Sequence, residues 1–131
     1  MKNIEATYNR PDGERVIDAS YVITDIKERI EQLKDEKAWG KNDRNGITLF
    51  KTPGLAIVLT CLHDETVVND ISIDGIAVLQ VMEGKINITT EGDAFELCEK
   101  KMVVLHSNIV HSIYALKKSV LLLTTYSGIH Q

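Results

Sequence analysis

The sequence predicts an all-β fold, a small antiparallel barrel preceded by an extended arm and one short α-helix. Three observations predict it. From Ile47 to Tyr126, short runs rich in Val, Ile, Leu and Thr alternate with turn signals roughly every 8–12 residues, the rhythm of a sandwich or barrel. No helical period of useful length occurs after residue 46. Between Thr24 and Trp39 the pattern is instead helical, with Ile26, Ile30 and Leu33 on one stripe and charged residues between them.

The first 46 residues form a unit of their own texture, and the barrel takes residues 47–131. Pro11-Asp12-Gly13 is a turn signal. Arg15 to Ile23 reads as the extended arm. Thr24 or Asp25 caps the helix, and Glu28 stands where a capping box needs it. The helix is expected to run to about Trp39, with Gly40 and the polar stretch 41–46 ending it. Its apolar stripe needs a sheet to lie on.

The expected strands are Ile47–Lys51, Leu55–His63, Val67–Ile73, Ile76–Met82, Lys85–Thr90, Ala94–Cys98, Met102–His106, His111–Leu116 and Ser119–Tyr126. Thr52-Pro53-Gly54, Asp74-Gly75, Glu83-Gly84 and Glu91-Gly92-Asp93 supply turn chemistry between them.

Composition narrows the function classes. A chain of 131 residues fits one domain, and 44% apolar content is too high for disorder. A net charge of −4 with no stripe of Lys or Arg argues against nucleic-acid binding. The pairs Lys100-Lys101 and Lys117-Lys118 read as solvated turns. Met1 to Asn9 is polar, so no signal peptide is expected, and no apolar run is long enough to span a bilayer. Cys61 and Cys98 form no CxxC pair and read as two free, buried thiols of a cytoplasmic protein. In that setting Asn87-Ile88-Thr89 is not a glycosylation signal. There is no G-x-S-x-G, no phosphate-cradling glycine loop and no HExxH.

The stretch Ala77-Val-Leu-Gln-Val-Met-Glu-Gly84, followed by a hairpin and then His111-Ser-Ile-Tyr, resembles the cupin family. Ile57-Val-Leu-Thr-Cys-Leu-His63 fits small single-domain cupins as well. Arg10-Pro-Asp-Gly, Trp39 and Asp43-Arg-Asn-Gly-Ile-Thr-Leu-Phe50 resemble the front of a bacterial subgroup. The resemblance covers about residues 47–126 and implies a jelly-roll (RmlC-like) barrel. Such proteins are often dimers, and many hold a divalent metal in the barrel mouth.

The family's first motif is G-x5-H-x-H-x3-E-x6-G. Anchored on Gly84, it places its first glycine at Glu65, its histidines at Ile71 and Ile73 and its glutamate at Ala77. The second motif is G-x5-P-x-G-x2-H-x3-N. Anchored on His111, it places its glycines at Lys100 and Asn108, its proline at His106 and its asparagine at Ala115. The spacing is kept throughout, but only Gly84 and His111 match, and one of four metal ligands remains.

Ile, Ile and Ala cannot donate to a metal, whereas catalytic metal sites use three or more ligands from His, Cys, Asp or Glu. Strand alternation puts Ile71, Ile73, Ala77, Leu79 and Val81 on the inner face with His111, Ile113 and Ala115. The favoured reading is therefore a metal-free small-molecule-binding or interaction module with no cofactor. In it, His111 is the polar anchor of an apolar pocket lined by Ile71, Ile73, Ala77, Leu79 and Ile113. The bland reading is that His111 is a satisfied core histidine and the barrel is filled. The alternative is a metal-dependent enzyme with His63, His106 and His111 as substituted ligands, Cys61 and Cys98 being further candidates. No catalytic residue is assigned. Expected partners are a second copy of the chain, met through the arm, and a small apolar or mixed-polarity ligand, with neither nucleic acid nor a membrane.

Overall fold

The computed structural model describes residues 16–127 and the backbone of Lys2 and Asn3. The Pro11-Asp12-Gly13 turn and Arg15 lie outside the described residues. Of the arm, β1 (Lys2–Asn3) pairs antiparallel with β2 (Val16–Asp18). Beyond Asp18 the arm is not a strand, and Tyr21 and Ile23 stand in solvent at 79% and 90% exposure.

The helix begins as expected. Asp25 is the N-cap of α1 (Ile26–Asp35), its carboxylate accepting the Glu28 N–H at 3.1 Å. It does not run on to Trp39. Glu36 is extended, and a separate short helix, α2, covers Lys37–Lys41. The break has a local cause. The Asn45 side chain donates to the Leu33 carbonyl at 2.9 Å and to the Glu36 carboxylate at 3.0 Å. It thereby satisfies a C-terminal carbonyl that a longer helix would have used.

Nine strands follow, all within two residues of the expected bounds except that the first begins three residues earlier, at Arg44: β3 (Arg44–Thr52), β4 (Leu55–Leu62), β5 (Val67–Ile71), β6 (Ile76–Glu83), β7 (Lys85–Thr90), β8 (Ala94–Cys98), β9 (Met102–Leu105), β10 (His111–Ala115) and β11 (Ser119–Tyr126). They form two antiparallel sheets, β3-β4-β11-β6-β9 and β5-β10-β7-β8. The one departure that matters is β5, which stops at Ile71. An extra residue bulges it near Asp70, so that His111 faces Ile71 while Ile113 faces Val68. Asp70 takes a φ of 53° there. Ile73 lies past the strand's end, and the alternation that would carry it to the inner face does not reach it.

The five-stranded sheet has two apolar faces with different partners. Leu59, Cys61, Ile47, Leu49 and Val120 point outward and bury Ile30 and Leu33 of α1. Leu62, Leu79, Val81 and Leu121 point inward, against Ile86, Ile88, Ile113 and Ala115 of the other sheet. Leu33 is fully buried, which stabilises the helix's seat by about 2 kcal/mol.

The sheets join at a corner. Gly84 alone separates β6 from β7, and Lys117-Lys118 carry β10 into β11 beside it. Gly84 has φ +92°, and a Cβ there would lie 2.4 Å from the Lys118 carbonyl oxygen and 2.4 Å from Ser119 Oγ. Ser119 is 2% exposed; its hydroxyl donates to the Lys117 carbonyl at 2.7 Å and accepts the Lys85 N–H at 3.1 Å. Glu65, Lys100 and Asn108 also have positive φ, of 69°, 73° and 64°. With Gly84, these are the four positions where the two cupin motifs have glycine.

Substitution at these positions separates a packing requirement from a purely conformational one. Gly84→Ala meets both backbone strain and a clash, and should cost about 3 kcal/mol in urea unfolding. Lys100→Gly relieves the left-handed conformation of an exposed residue and should stabilise by about 0.5 kcal/mol. A Gly84→Ala protein as stable as the wild type would mean the corner is not tight.

Candidate functional site

The inner faces of the two sheets do not meet along their whole length. On the side where edge strands β3 and β5 approach each other, a cavity of about 650 Å³ opens between them. Its deep walls are Val68, Ile71 and Ile113 of one sheet and Leu79, Leu121 and Leu123 of the other. Its rim is polar and comes from α2 and the start of β3, through Asn42, Asp43, Arg44 and Asn45. Arg44 binds the Asp43 carboxylate through two nitrogens, at 2.8 and 3.0 Å, and reaches the Val67 carbonyl of β5 at 3.3 Å. It thus ties the two edge strands together at the mouth. Its hydrogen bond holds the Asp43 carboxyl below the ordinary aspartate range, with the guanidinium's charge adding to the effect.

His111 is elsewhere. It is buried, at 5% exposure, and lines a second cavity of about 650 Å³ at the far end of β7 and β10. That cavity is polar, with Asp70, Thr90, Glu91, Asn108 and Ser112 around it. The structure therefore brings Ile71, Leu79 and Ile113 together on the inter-sheet cavity and places His111 outside that set. Ala77 is buried on the inner face but lines neither cavity, and Ile73 is half-buried in the turn before β6.

His111 and Ile71 are register partners on adjacent strands, so the two cavities adjoin along β10, one at Ile113 and the other at His111. The rim residues Asn42, Arg44 and Asn45 went unassigned from sequence, although Arg44 and Asn45 fall within the Asp43–Phe50 phrase and Asn42 directly precedes it. Asp70 could not be assigned, because only the bulge turns that segment toward the His111 cavity.

The substituted metal set does not form. His63 Nε2 donates to the Trp39 carbonyl at 2.6 Å, and the two rings stack 3.6 Å apart at 14°. That nitrogen carries a proton and cannot ligate. His63 precedes Thr66, which pairs with Ala115 at one end of β10, while His111 stands at the other. Four strand residues, about 13 Å, separate those ends, too far for a shared ion. His106 is exposed after β9. Cys61 lies under α1, on the outward face of its sheet, and Cys98 ends β8 in the other sheet. Among the described residues, no group of three or more His, Cys, Asp or Glu is placed to hold a metal ion. No described helix is long and apolar enough to cross a membrane.

Comparison with known proteins bears on the fold. No protein-family model matches the sequence, and no curated protein matches it significantly. Solved structures do. A cupin superfamily protein from Desulfitobacterium hafniense superposes with a TM-score of 0.64 at 17% identity, over 66% of this chain and 80% of its own. An RmlC-like cupin from Shewanella frigidimarina gives 0.62 at 14% identity, over 66% of this chain and 78% of its own. A conserved protein of unknown function from Streptococcus pyogenes gives 0.66 at 18% identity and spans 97% of this chain and 98% of its own. The last likeness extends over the arm and helices as well as the barrel. The fold is that of the cupins.

The two cysteines differ in a measurable way. Burial pushes the Cys61 thiol up to about 11, while Cys98 is half-buried. At pH 8 a chromogenic disulfide reagent should titrate Cys98 in the native protein and reach Cys61 only on unfolding. Equal labelling rates would show that α1 does not seal its face of the sheet.

Proposed function

We propose that this cupin-fold chain is a small-molecule-binding module whose ligand occupies the cavity between the two sheets. One observation carries the reading: an open volume of about 650 Å³ with apolar walls and a polar rim. That is within the size and composition usual for small-molecule sites. The ligand it suits is mostly apolar, with one polar end turned toward Asn42, Arg44 and Asn45. No catalytic constellation accompanies it, so binding is preferred to a reaction. The two free cysteines support a cytoplasmic setting.

The test uses an anilinonaphthalene sulfonate dye as the apolar probe. Leu123→Phe should fill the chamber, leave stability within about 1 kcal/mol of the wild type, and weaken dye binding about tenfold. Dye binding that survives Leu123→Phe but is lost in Val104→Glu would place the apolar site on the outside of the protein and overturn the reading.

A second reading, an interaction unit that pairs with another copy of the chain, is favoured by surface that α1 leaves bare. Ile76 and Tyr126 are register partners on the outer face of the five-stranded sheet, at 37% and 46% exposure. Val104 and Met102 of the edge strand β9 continue that face at 52% and 58%. Tyr21 and Ile23 of the arm are equally uncovered. Large apolar side chains grouped beside an unpaired strand edge are a natural docking surface. Light scattering should show a dimer, and Met102→Glu with Val104→Glu should dissociate it if the sheet face is the seat. Removal of residues 1–23 should do so if the arm is. A wild-type monomer removes this reading.

A further inference from the structure

The polar cavity at His111 is a site in its own right, and its chemistry selects a different ligand from the inter-sheet chamber. His111 Nδ1 lies 2.9 Å from the Ile109 carbonyl oxygen. A carbonyl can only accept, so Nδ1 carries the proton, and in the neutral ring Nε2 is left with a lone pair. Among the described residues Nε2 has no hydrogen-bond partner, although the side chain is 5% exposed. A buried acceptor without a partner is uncommon, because leaving it unpaired costs about 1–3 kcal/mol.

The surroundings share one sign. Asp70 and Glu91 contribute carboxylates, and among the described residues no Lys or Arg lines the cavity. Asp70 is held there by the β5 bulge, where its N–H donates to Ser112 Oγ at 3.0 Å. Ser112 stands one residue after His111 on β10. Ile109 and Val110, 41% and 51% exposed, supply apolar contact at the rim.

The geometry points to an amine-binding site. A protonated primary amine on a short carbon chain would donate one hydrogen bond to His111 Nε2. Its charge would face Asp70 and Glu91, and its carbons would rest on Ile109 and Val110. An anion meets like charge there. A metal ion meets only one nitrogen ligand, since no group of three donors converges among the described residues. The site is independent of the inter-sheet cavity, with which it shares no lining residue.

The test follows backbone amides of Glu91, Asn108, His111 and Ser112 by NMR in the intact protein, with ethanolamine, propionate and zinc ions as probes. Ethanolamine should shift these amides saturably in the millimolar range, and propionate should not. Asp70→Asn combined with Glu91→Gln, both at exposed positions, should weaken ethanolamine binding about tenfold. His111→Phe, once shown to be folded, should weaken it at least as much, whereas Leu123→Phe should leave it unchanged. Equal responses to ethanolamine and propionate, no response to ethanolamine, or a tighter response to zinc at the same amides would each overturn the assignment.

Discussion

The structure depends on one close approach, that of Gly84 to Lys118 and Ser119. Two chain crossings between the sheets meet there, β6 into β7 through a single residue and β10 into β11 through two lysines. A Cβ on Gly84 would fall within 2.4 Å of both neighbours, and the Ser119 hydroxyl bonds the backbone on either side. The corner sets how the inner faces open away from it. Next to it stand Val81, Ile86 and Ala115, all with no exposed surface. One step further along the same strands are Leu79 and Ile113, which line the inter-sheet cavity, and a further step along β10 brings His111. The filled core and both cavities are thus successive distances from one joint.

The same gradient explains which features of the cupin pattern this chain keeps. A motif glycine answers a backbone demand, and a motif histidine answers a chemical one. All four glycine positions retain positive φ, although Glu, Lys and Asn occupy three of them. Asn tolerates that conformation through its short polar side chain; Glu65 and Lys100 carry strain that the pairing around them sustains. Glu65 N–H donates to the Ala115 carbonyl at 2.7 Å, and Lys100 N–H to the Val81 carbonyl at 2.8 Å. Both bonds fasten turns to the filled end of the barrel.

This also marks what a sequence can and cannot reveal here. Strands were legible because each has a two-residue apolar period and a turn at its end, as in Ile76–Glu83 between Gly75 and Gly84. The helix face was legible from Ile26, Ile30 and Leu33. Its break at Glu36 was not, because Asn45, nine residues on and in a strand, supplies the competing hydrogen bond. The site was half legible. Ile71, Leu79 and Ile113 do share a chamber, as alternation requires. His111 was assigned to it by the same alternation and lies past its edge, two residues before Ile113 on β10, where it lines the neighbouring cavity. A bulge adds one residue to one strand, and Asp70 carries no local mark of it.

The separation of His111 from the apolar chamber follows from its hydrogen bond. A histidine at a metal centre has its free nitrogen directed by the metal and its other nitrogen oriented by a partner behind it. In this chain the Ile109 carbonyl orients the His111 ring through Nδ1. The ring is fixed through Nδ1, and among the described residues Nε2 has no hydrogen-bond partner. An apolar chamber could not satisfy that nitrogen, since a buried acceptor facing Leu and Ile would stay unpaired. The β5 bulge resolves the conflict. It leaves Val68 and Ile71 lining the chamber while Asp70, with His111, lines the neighbouring cavity at the end of the strand. What could have been one mixed cavity is divided into two, each internally consistent in its chemistry.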